Sequence, residues 1–349
     1  MIREYDFFSL MDTYISECES GKYLLKNGSK MRAGTITNYK SLKNLMKKYC
    51  VTKKVELKIN NLIKCTQNEY LQERKKWKKF YKKFTAYMYS ECNHFDNYVG
   101  ASMKLLRTFF NYLKAEKGID LRDIPKIFYI SKEEVPIVVL SHEQLKFLIF
   151  DKEFNSRLPH RLQKVKDTFV FGCIVGLRIS DLRLLTRSNV EKNFKEVYLK
   201  VFSKKTSTFT RIKLPSYAVT ILKKYDRKIP TLLPCISIFN FNKYIREIAE
   251  LAGWTYLIDK KRTKRGLSKT IKKTISKERF RFCDLITSHT MRRTAITTYL
   301  SLGMPEQLVR RISGHSAGSK EFFRYVKYSE ELLDKEINNV HEKFLASEH

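Results

Sequence analysis

Three short segments place arginine, histidine and tyrosine side chains in an order that suits phosphate chemistry. A guanidinium can bind two oxygens of one phosphate at once, which a lysine ammonium does not imitate. Histidine transfers protons near neutral pH, and a tyrosine hydroxyl can act as a nucleophile. The segments are GLRISDLRLL (176–185) with Arg178, Ser180 and Asp181, SHTMRRTAITTYL (288–300) with His289 and Arg292, and ISGHSAGSKEFFRYVKYS (312–329) with His315 and Tyr325.

Each segment taken alone also has an ordinary structural explanation. Arg178 can lie on the surface at a helix start that Asp181 or the preceding serine caps. His289 and Arg292 have the spacing of two residues on one face of a helix. Tyr325 lies among aromatic residues of the kind that fill protein cores. It is the ordered combination of all three segments that indicates a common site.

In that order, the segments resemble the tyrosine recombinase (phage integrase) family, and the resemblance extends over about residues 140–330. LITSHTMRRT, ISGH and FFRYVKYS look more closely like the integrases of integrative and conjugative elements from gut anaerobes. The resemblance implies a mainly α fold with a small β-hairpin or sheet. A helical SAM-like core-binding domain would precede the mixed α/β catalytic domain.

The resemblance also implies a role for each residue of the site. The catalytic residues would be Arg178, Lys205, His289, Arg292, His315 and Tyr325, with Asp181 supporting them. Lys205 would lie on a β-hairpin formed by VYLKVFSKK and FTRIKLP, and Tyr325 would be the nucleophile. Two alternatives stay open. Lys204 is a second candidate because the hairpin is longer than the family's, and Tyr328 is a second candidate because the turn after His315 is longer too.

This residue set is chemically sufficient for phosphodiester transfer. The reaction passes through a pentacoordinate phosphorane whose extra negative charge two arginines and two histidines can stabilise, so no metal ion is expected. A tyrosine hydroxyl titrates near pH ~10, so its attack at neutral pH needs a base, for which His289 is the natural acceptor. Lys205 can protonate the departing 5′ oxygen. The 3′-phosphotyrosine product would retain the bond energy, so rejoining would need neither ATP nor another cofactor.

The composition favours a nucleic-acid partner. Lys and Arg number 69 against 36 Asp and Glu, which gives a net charge of +33, and aromatic residues are interleaved with the basic ones. The seven cysteines are scattered without a CxxC pair, which argues against a disulfide framework and structural zinc. The N-terminus does not resemble a signal peptide, and no apolar run has the length of a membrane span. A cytoplasmic protein without a membrane partner is expected.

The apolar spacing predicts four N-terminal helices, at residues 4–17, 34–49, 66–91 and 96–117. The predicted domains are a helical DNA-binding domain at 1–120, an inter-domain linker at 121–140 and the catalytic domain at 141–349. Two basic segments are predicted to contact the DNA backbone, one in the third helix and one in a non-periodic block at 255–281. Their residues are Arg74, Lys75, Lys76, Lys78, Lys79, Lys82 and Lys83, then Lys260, Lys261, Arg262, Lys264 and Arg265.

Site-specific recombination is the leading functional prediction, through integration, excision or inversion of a DNA segment. The resemblance implies a homotetramer on double-stranded DNA sites, which DNA-bending accessory proteins could join. The amphipathic segment 330–349 would pack as a helix on a neighbouring protomer. The alternative from another class is a catalytically inactive DNA-binding protein of the same fold. A type IB topoisomerase shares the chemistry, but the helical segment 1–120 disfavours it.

Overall fold

The computed structural model describes residues 3–203, 208–226, 228–316, 318–326, 337 and 341–342. The chain divides into two compact units. The N-terminal unit comprises Met1–Val135 together with Lys261–Ile271, and the C-terminal unit comprises Pro136–Lys260 together with Lys272–His349. Both units are built mainly from α-helices with small antiparallel sheets, which confirms the predicted fold class.

Four long helices form the N-terminal unit, in the order that the apolar spacing predicts. They are α1 (Phe7–Ser20), α2 (Ala33–Lys53), α3 (Gln67–Ser90) and α4 (Asp96–Glu116), accompanied by the antiparallel strands β1 (Glu4–Asp6) and β2 (Lys58–Asn60). Local sequence fixes where these helices begin. The side chain of Asp6 accepts the Ser9 N–H at 2.6 Å, and Thr66 and Glu69 form a capping box at the start of α3.

An aromatic core holds the four helices together. Phe7, Tyr14, Trp77 and Phe110 are almost completely buried, and the rings of Trp77 and Phe110 meet edge to face with centroids 4.9 Å apart. Such edge-to-face pairs add stabilisation beyond the burial of their area. The basic segment of α3 therefore has two sides, because its aromatic residues point into this core while most of its lysines are exposed.

The stretch predicted as an inter-domain linker, 121–140, is divided between the two units. Ile124 and Phe128 are fully buried in the N-terminal core. The boundary falls between Val135 and Pro136, and Leu140 is already buried in the C-terminal core. The apolar residues of this stretch thus join a core on either side, a property that its prolines and acidic residues obscure in the sequence.

The C-terminal unit is assembled around one buried helix. Its helices are α5 (His142–Phe150), α6 (Lys152–Arg157), α7 (His160–Val175), α8 (Ile179–Leu182), α9 (Ser216–Tyr225), α10 (Ile238–Leu251), α11 (Phe282–Leu285), α12 (Ser288–Ser301), α13 (Glu306–Ser313) and α14 (Lys320–Val326). Helix α7 is buried along most of its length and packs against α12. Gly172 permits this close approach, because a Cβ there would lie 2.3 Å from the Sδ of Met291.

The predicted hairpin is present as part of a three-stranded antiparallel sheet. Its strands are β3 (Val190–Asn193), β4 (Glu196–Ser203) and β5 (Thr208–Lys213). Leu199 is paired with Ile212, and both face the core, as alternation along a half-buried strand requires. The turn between β4 and β5, residues 204–207, lies outside the described residues, and with it both candidate lysines, Lys204 and Lys205.

A second hairpin interrupts the C-terminal unit. Strand β6 (Leu257–Ile258) pairs with β9 (Phe280–Arg281), and between them β7 (Lys260–Lys264) pairs with β8 (Leu267–Ile271). Residues 261–271 of this hairpin belong to the N-terminal unit. Among the described helices, none is long and apolar enough to cross a membrane. Only residues 337 and 341–342 are described beyond Val326, so the predicted C-terminal helix at 330–349 lies almost wholly outside the described residues.

Candidate active site

Two of the candidate residues, Arg178 and His315, lie just after the left-handed turns that end α7 and α13. Helix α7 ends at Gly176, whose φ of +63° lies in the left-handed region, and Arg178 follows as the residue that precedes α8. Helix α13 ends in the same way at Gly314, with a φ of +63°, and His315 follows it directly. Tyr325 lies on α14. Glycine at these two positions avoids the strain that a side chain would suffer there.

Arg292 is the centre of the site. It is only 5% exposed, and its Nη1 donates to the carbonyl oxygen of Gly176 at 2.9 Å. Its Nη2 lies 3.1 Å from Nε2 of His315. Desolvation and the nearby charge of Arg178 lower the pKa of Arg292 to about 10, against opposing effects of Tyr325 and Asp181. Within the described part of the chain, Arg292 forms no salt bridge with a carboxylate.

His315 is held as a neutral imidazole. Ser313 donates its hydroxyl to the carbonyl oxygen of Val309 at 2.6 Å and lies 2.8 Å from Nδ1 of His315. Because the hydroxyl proton of Ser313 is engaged with Val309, the serine oxygen can accept a hydrogen bond from an Nδ1–H. Nη2 of Arg292, which lies 3.1 Å from Nε2 and 3.3 Å from Nδ1, then donates to the Nε2 lone pair. Burial, followed by the charges of Arg292 and Arg178, lowers the pKa of His315 to about 3.

Arg178 and its neighbour Asp181 complete the charged floor of the site. The two side chains are mostly buried, and Nη1 of Arg178 lies 3.9 Å from Oδ2 of Asp181. Arg178 is close enough to Arg292 and His315 for its charge to lower the pKa of both. Two guanidiniums thus share one pocket with a neutral imidazole and one carboxylate. Such an excess of buried positive charge suits an anionic ligand.

Tyr325 lies against this pocket, half-buried, on the small apolar cluster formed by Ile296, Leu300, Val309 and Phe322. Its ring centroid is 5.8 Å from that of His315. The tyrosine is close enough to the guanidinium of Arg292 to raise the pKa of that arginine.

Arg293 belongs to the site but is not among the residues predicted from the sequence. Burial lowers its pKa, and the nearby Tyr325 acts in the opposite direction. Adjacent residues of a helix point about 100° apart, so pairing His289 with Arg292 left Arg293 on another face. Its only signal in the sequence is a second guanidinium beside a candidate catalytic one.

Of the remaining candidates, His289 alone lies within the described residues. His289 is exposed in the first turn of α12, three residues before Arg292 and on the same face of the helix. Tyr328 lies outside the described residues, as do Lys204 and Lys205. The structure therefore brings together Arg178, Asp181, Arg292, His315 and Tyr325, and adds Arg293 to them.

Helix α3 carries an uncompensated basic surface on the N-terminal unit. Arg74 is bound to Asp123 at 3.1 Å, and Lys76 is bound to Glu73 at 2.7 Å. The other five lysines of the segment are exposed, and none of them has an ionic partner within the described ranges. They lie on the helix face opposite Trp77 and are Lys75, Lys78, Lys79, Lys82 and Lys83.

A second candidate surface on the same unit is a cavity of about 700 Å³ between α2, α4 and the loop before α2. Its lining combines cations with amide and hydroxyl groups, the groups that bind phosphates and base edges in DNA. Residues of this kind in its wall are Lys30, Arg32, Asn38, Lys104 and Thr108. This surface is not among the DNA contacts predicted from the sequence.

The predicted cations of the second hairpin are mostly engaged within the protein. Arg262 is bound to Glu133, Lys264 donates to Asn93 at 2.8 Å, and Arg265 lies over the ring of Tyr89. Lys260 lies over the ring of Phe280. Lys261 is exposed.

Residues 160–331 match the family model described as the phage integrase family, a range that contains every candidate catalytic residue. These residues form a phage integrase domain. The predicted resemblance to the tyrosine recombinase (phage integrase) family is therefore confirmed. Among curated proteins, no sequence matches the chain.

Several solved tyrosine recombinases share the fold of this chain. A lambda integrase tetramer bound to a Holliday junction has a TM-score of 0.55 at 13% identity and covers 93% of this chain and 78% of its own. XerH bound to a palindromic difH substrate, a post-cleavage complex, has 0.56 at 12%, with 90% and 80% covered. The Tn1549 transposon integrase with circular intermediate DNA has 0.53 at 14%, with 92% and 94% covered. At these identities the likeness establishes the fold.

Proposed function

We propose that this chain is a site-specific DNA recombinase that cleaves and rejoins DNA through a 3′-phosphotyrosine bond at Tyr325. The observation that carries the proposal is the environment of Arg292. A guanidinium that is 95% withdrawn from water is bound to a carbonyl oxygen and a neutral histidine, with a second arginine and a tyrosine beside it. A buried charge in such a setting is stabilised when an anion enters.

The anion that fits best is a DNA phosphodiester. Two guanidiniums can clamp its two non-bridging oxygens, and Tyr325 stands beside the same pocket as a nucleophile. The net charge of +33 would attract a polyanion to the site. The solved relatives were captured on a Holliday junction, on difH and on circular intermediate DNA, which supports the same class of substrate here.

The reaction would be a transesterification at the phosphorus atom, with one proton accepted and one proton donated by the protein. The Tyr325 oxygen forms a bond to phosphorus while the bond from phosphorus to the 5′ oxygen breaks. His289 accepts the tyrosine proton, and Lys205 donates a proton to the departing 5′ oxygen. Attack by the 5′ hydroxyl of another strand reverses these steps and releases Tyr325. The energy of the broken phosphodiester is held in the phosphotyrosine, so no ATP is required.

His315 would change its role when the phosphate binds. In the free site its Nε2 accepts from Arg292. A phosphate in contact with Arg178 and Arg292 would offset the positive charges that lower the pKa of His315. The imidazole would then take up a proton at Nε2 and donate it as a hydrogen bond to a non-bridging oxygen. Charge stabilisation would thus grow as the substrate enters.

DNA contacts of the N-terminal unit would come from its two polar surfaces. The five exposed lysines of α3 span about 12 Å along the helix, from the rise per residue, and would bind phosphates. The cavity between α2 and α4 offers Asn38 and Thr108 for base edges. Glutamine at all five lysines should flatten the dependence of affinity on salt. Asn38→Ala with Thr108→Ala should instead change sequence preference while leaving that dependence intact.

A tetramer is the assembly that strand exchange between two duplexes would use. The lambda integrase relative was solved as a tetramer on a Holliday junction. In this chain the segment 330–349 would form a helix that packs on a neighbouring protomer and links synapsis to the position of Tyr325. Accessory proteins that bend DNA could join the complex. Truncation after residue 330 should lower synapsis and leave binding to a single site nearly unchanged.

The test is a nicked suicide duplex that carries the cognate core site and traps the covalent intermediate. The wild-type chain should form an adduct that resists denaturation. Tyr325→Phe should form none while binding the duplex with an affinity within about twofold, since one hydroxyl contributes little to a charge-dominated interface. Tyr328→Phe is the matched control and should form the adduct. Specific binding of the core site without any adduct would favour the alternative, an inactive DNA-binding protein of the same fold.

A further inference from the structure

The β7–β8 hairpin is fastened to the N-terminal unit by two buried carboxylates. The side chain of Glu133 is 2% exposed and accepts from Nε and Nη2 of Arg262 at 2.9 and 2.7 Å, and from the backbone N–H of Thr263. Asp96 is 4% exposed and accepts the backbone N–H groups of Arg265 and Gly266 at 2.8 and 2.9 Å.

The hairpin is shaped for the second of these contacts. Arg265 and Gly266 form its two-residue turn, with φ angles of +55° and +78°. Positive φ at both central residues is the pattern of a tight hairpin turn, and here it presents two adjacent N–H groups to one carboxylate. Asp96 also accepts the hydroxyl of Tyr89 at 2.7 Å. A buried carboxylate with three donors is a strong and geometrically specific anchor.

The surface of the N-terminal unit that contacts the hairpin is held in place by hydrogen bonds to its backbone. Asn97 forms two hydrogen bonds with the backbone of Glu133, at 3.0 and 3.1 Å, which fixes residue 133 beside the start of α4. Gly100 lets this segment approach the helix, because a Cβ there would lie 1.9 Å from the carbonyl oxygen of Ser131. Burial raises the pKa of Glu133, but hydrogen bonds from Arg262 and Thr263 outweigh it and hold that pKa below its usual value. The carboxylate is therefore ionised at neutral pH.

Docking leaves part of the hairpin's charge for an external partner. The guanidinium of Arg262 is paired with the carboxylate of Glu133 and also lies over the ring of Phe95, 4.8 Å from its centroid. Lys261 and Lys269 are exposed, and neither side chain has a hydrogen bond or ion pair within the residues that the structure describes. The hairpin is thus held by its inner cation and its turn, while two lysines face solvent.

We propose that Asp96 and Glu133 are positioning residues that hold the hairpin on the N-terminal unit, so that Lys261 and Lys269 bind the same DNA duplex as that unit. The inference rests on the proposed DNA function. Its consequence is that a segment encoded within the catalytic half of the sequence adds phosphate contacts to the N-terminal unit. Because tethered contacts act at high effective concentration, loss of the anchor should weaken DNA binding on the order of tenfold.

Charge makes the test decisive. Glu133→Gln and Asp96→Asn each remove one negative charge, so simple electrostatics would strengthen DNA binding, whereas loss of positioning would weaken it. Asp259→Asn is the matched control: it also removes one negative charge, and it breaks an exposed pair with Arg279 at 2.9 Å that lies outside the anchor. The full-length chain would be titrated with a core-site duplex at two salt concentrations, and amide hydrogen exchange would be followed at Thr263, Arg265 and Gly266.

The expected result is faster exchange at these amides and weaker binding for Glu133→Gln, with unchanged exchange and equal or tighter binding for Asp259→Asn. The double exchange of charges, Glu133→Arg with Arg262→Glu, should recover part of the affinity that either single change loses, which a general folding defect would not do. Equal or tighter binding by Glu133→Gln would overturn the positioning role, whether or not exchange accelerates. If the wild-type chain binds no duplex, the proposed function itself fails.

Discussion

Replacing Arg292 with methionine should abolish activity while changing the stability of the free protein very little. The pKa of Arg292 falls from its usual 12.5 to about 10, which corresponds to about 3 kcal/mol of unfavourable free energy for the charged form. Methionine is unbranched like arginine, although shorter, and has no charge to desolvate. It also loses the hydrogen bonds to Gly176 and His315, which for a charged donor contribute roughly 1.5 kcal/mol or more each. The two effects are similar in size, so the expected net change is within about 1 kcal/mol, or roughly 2–4 °C in Tm.

The assay is denaturant unfolding of both proteins, with and without a core-site duplex. Without DNA, Arg292→Met and the wild type should unfold at similar denaturant concentrations; with DNA, the wild type should gain more stability, since only its Arg292 can bind the phosphate. Arg107→Met is the control, because Arg107 is half-buried and donates to two carbonyl oxygens at 3.2 and 2.5 Å. It should lose about 3 kcal/mol, since two hydrogen bonds from a charged donor disappear. A loss in Arg292→Met without DNA as large as that in Arg107→Met would refute the idea of an uncompensated charge awaiting an anion.

Three further outcomes follow from the site and its packing. The folded-state pKa of His315 is about 3, while an unfolded histidine titrates near ~6.5, so between these pH values the unfolded chain binds one more proton than the folded chain. The free energy of unfolding should therefore fall as the pH is lowered through that window. His315→Asn should reduce this fall between pH 7 and 4.5 in unfolding titrations, and an unchanged fall would count against a neutral, buried His315. Arg293→Gln should slow adduct formation by at least about tenfold while duplex affinity changes by less than threefold, since a positive charge beside the nucleophile is lost and most phosphate contacts remain. Equal slowing in Arg324→Gln, whose guanidinium pairs with the exposed Glu321, would point to a general charge effect. Gly172→Ala should destabilise the C-terminal unit by about 1–3 kcal/mol through the clash with Met291, and Met291→Ala in the same chain should recover part of that loss, as unfolding by denaturant would measure.

The candidate site could be predicted because arginine, histidine and tyrosine residues suited to phosphate chemistry come in a fixed order in three short segments. Arg178 and Arg292 are more than a hundred residues apart in the sequence, and the structure brings them into one pocket with His315 and Tyr325. The sequence could not show that Arg292 forms no salt bridge with a carboxylate among the described residues, nor that Ser313 hydrogen-bonds with Nδ1 of His315. These properties depend on which backbone groups surround each side chain after folding.

Other features escaped prediction for a different physical reason. In the sequence, Asp96 looks like an ordinary acidic residue at a helix start. Glu133 looks like one of two adjacent acidic residues in a proline-containing connection. Their role depends on a hairpin that lies more than a hundred residues away in the chain. The basic residues of that hairpin were predicted to contact DNA because charge is visible in a sequence and its internal partner is not. For Arg262, that partner is Glu133.

The most direct test of the account is to identify the residue that carries the covalent bond. The wild-type chain would be trapped on the nicked core-site duplex, digested with nuclease and protease, and sequenced by mass spectrometry. The expected product is a single peptide with a 3′-linked nucleotide on Tyr325. A nucleotide on Tyr328, or specific binding with no modified peptide, would contradict the assignment of Tyr325 as the nucleophile.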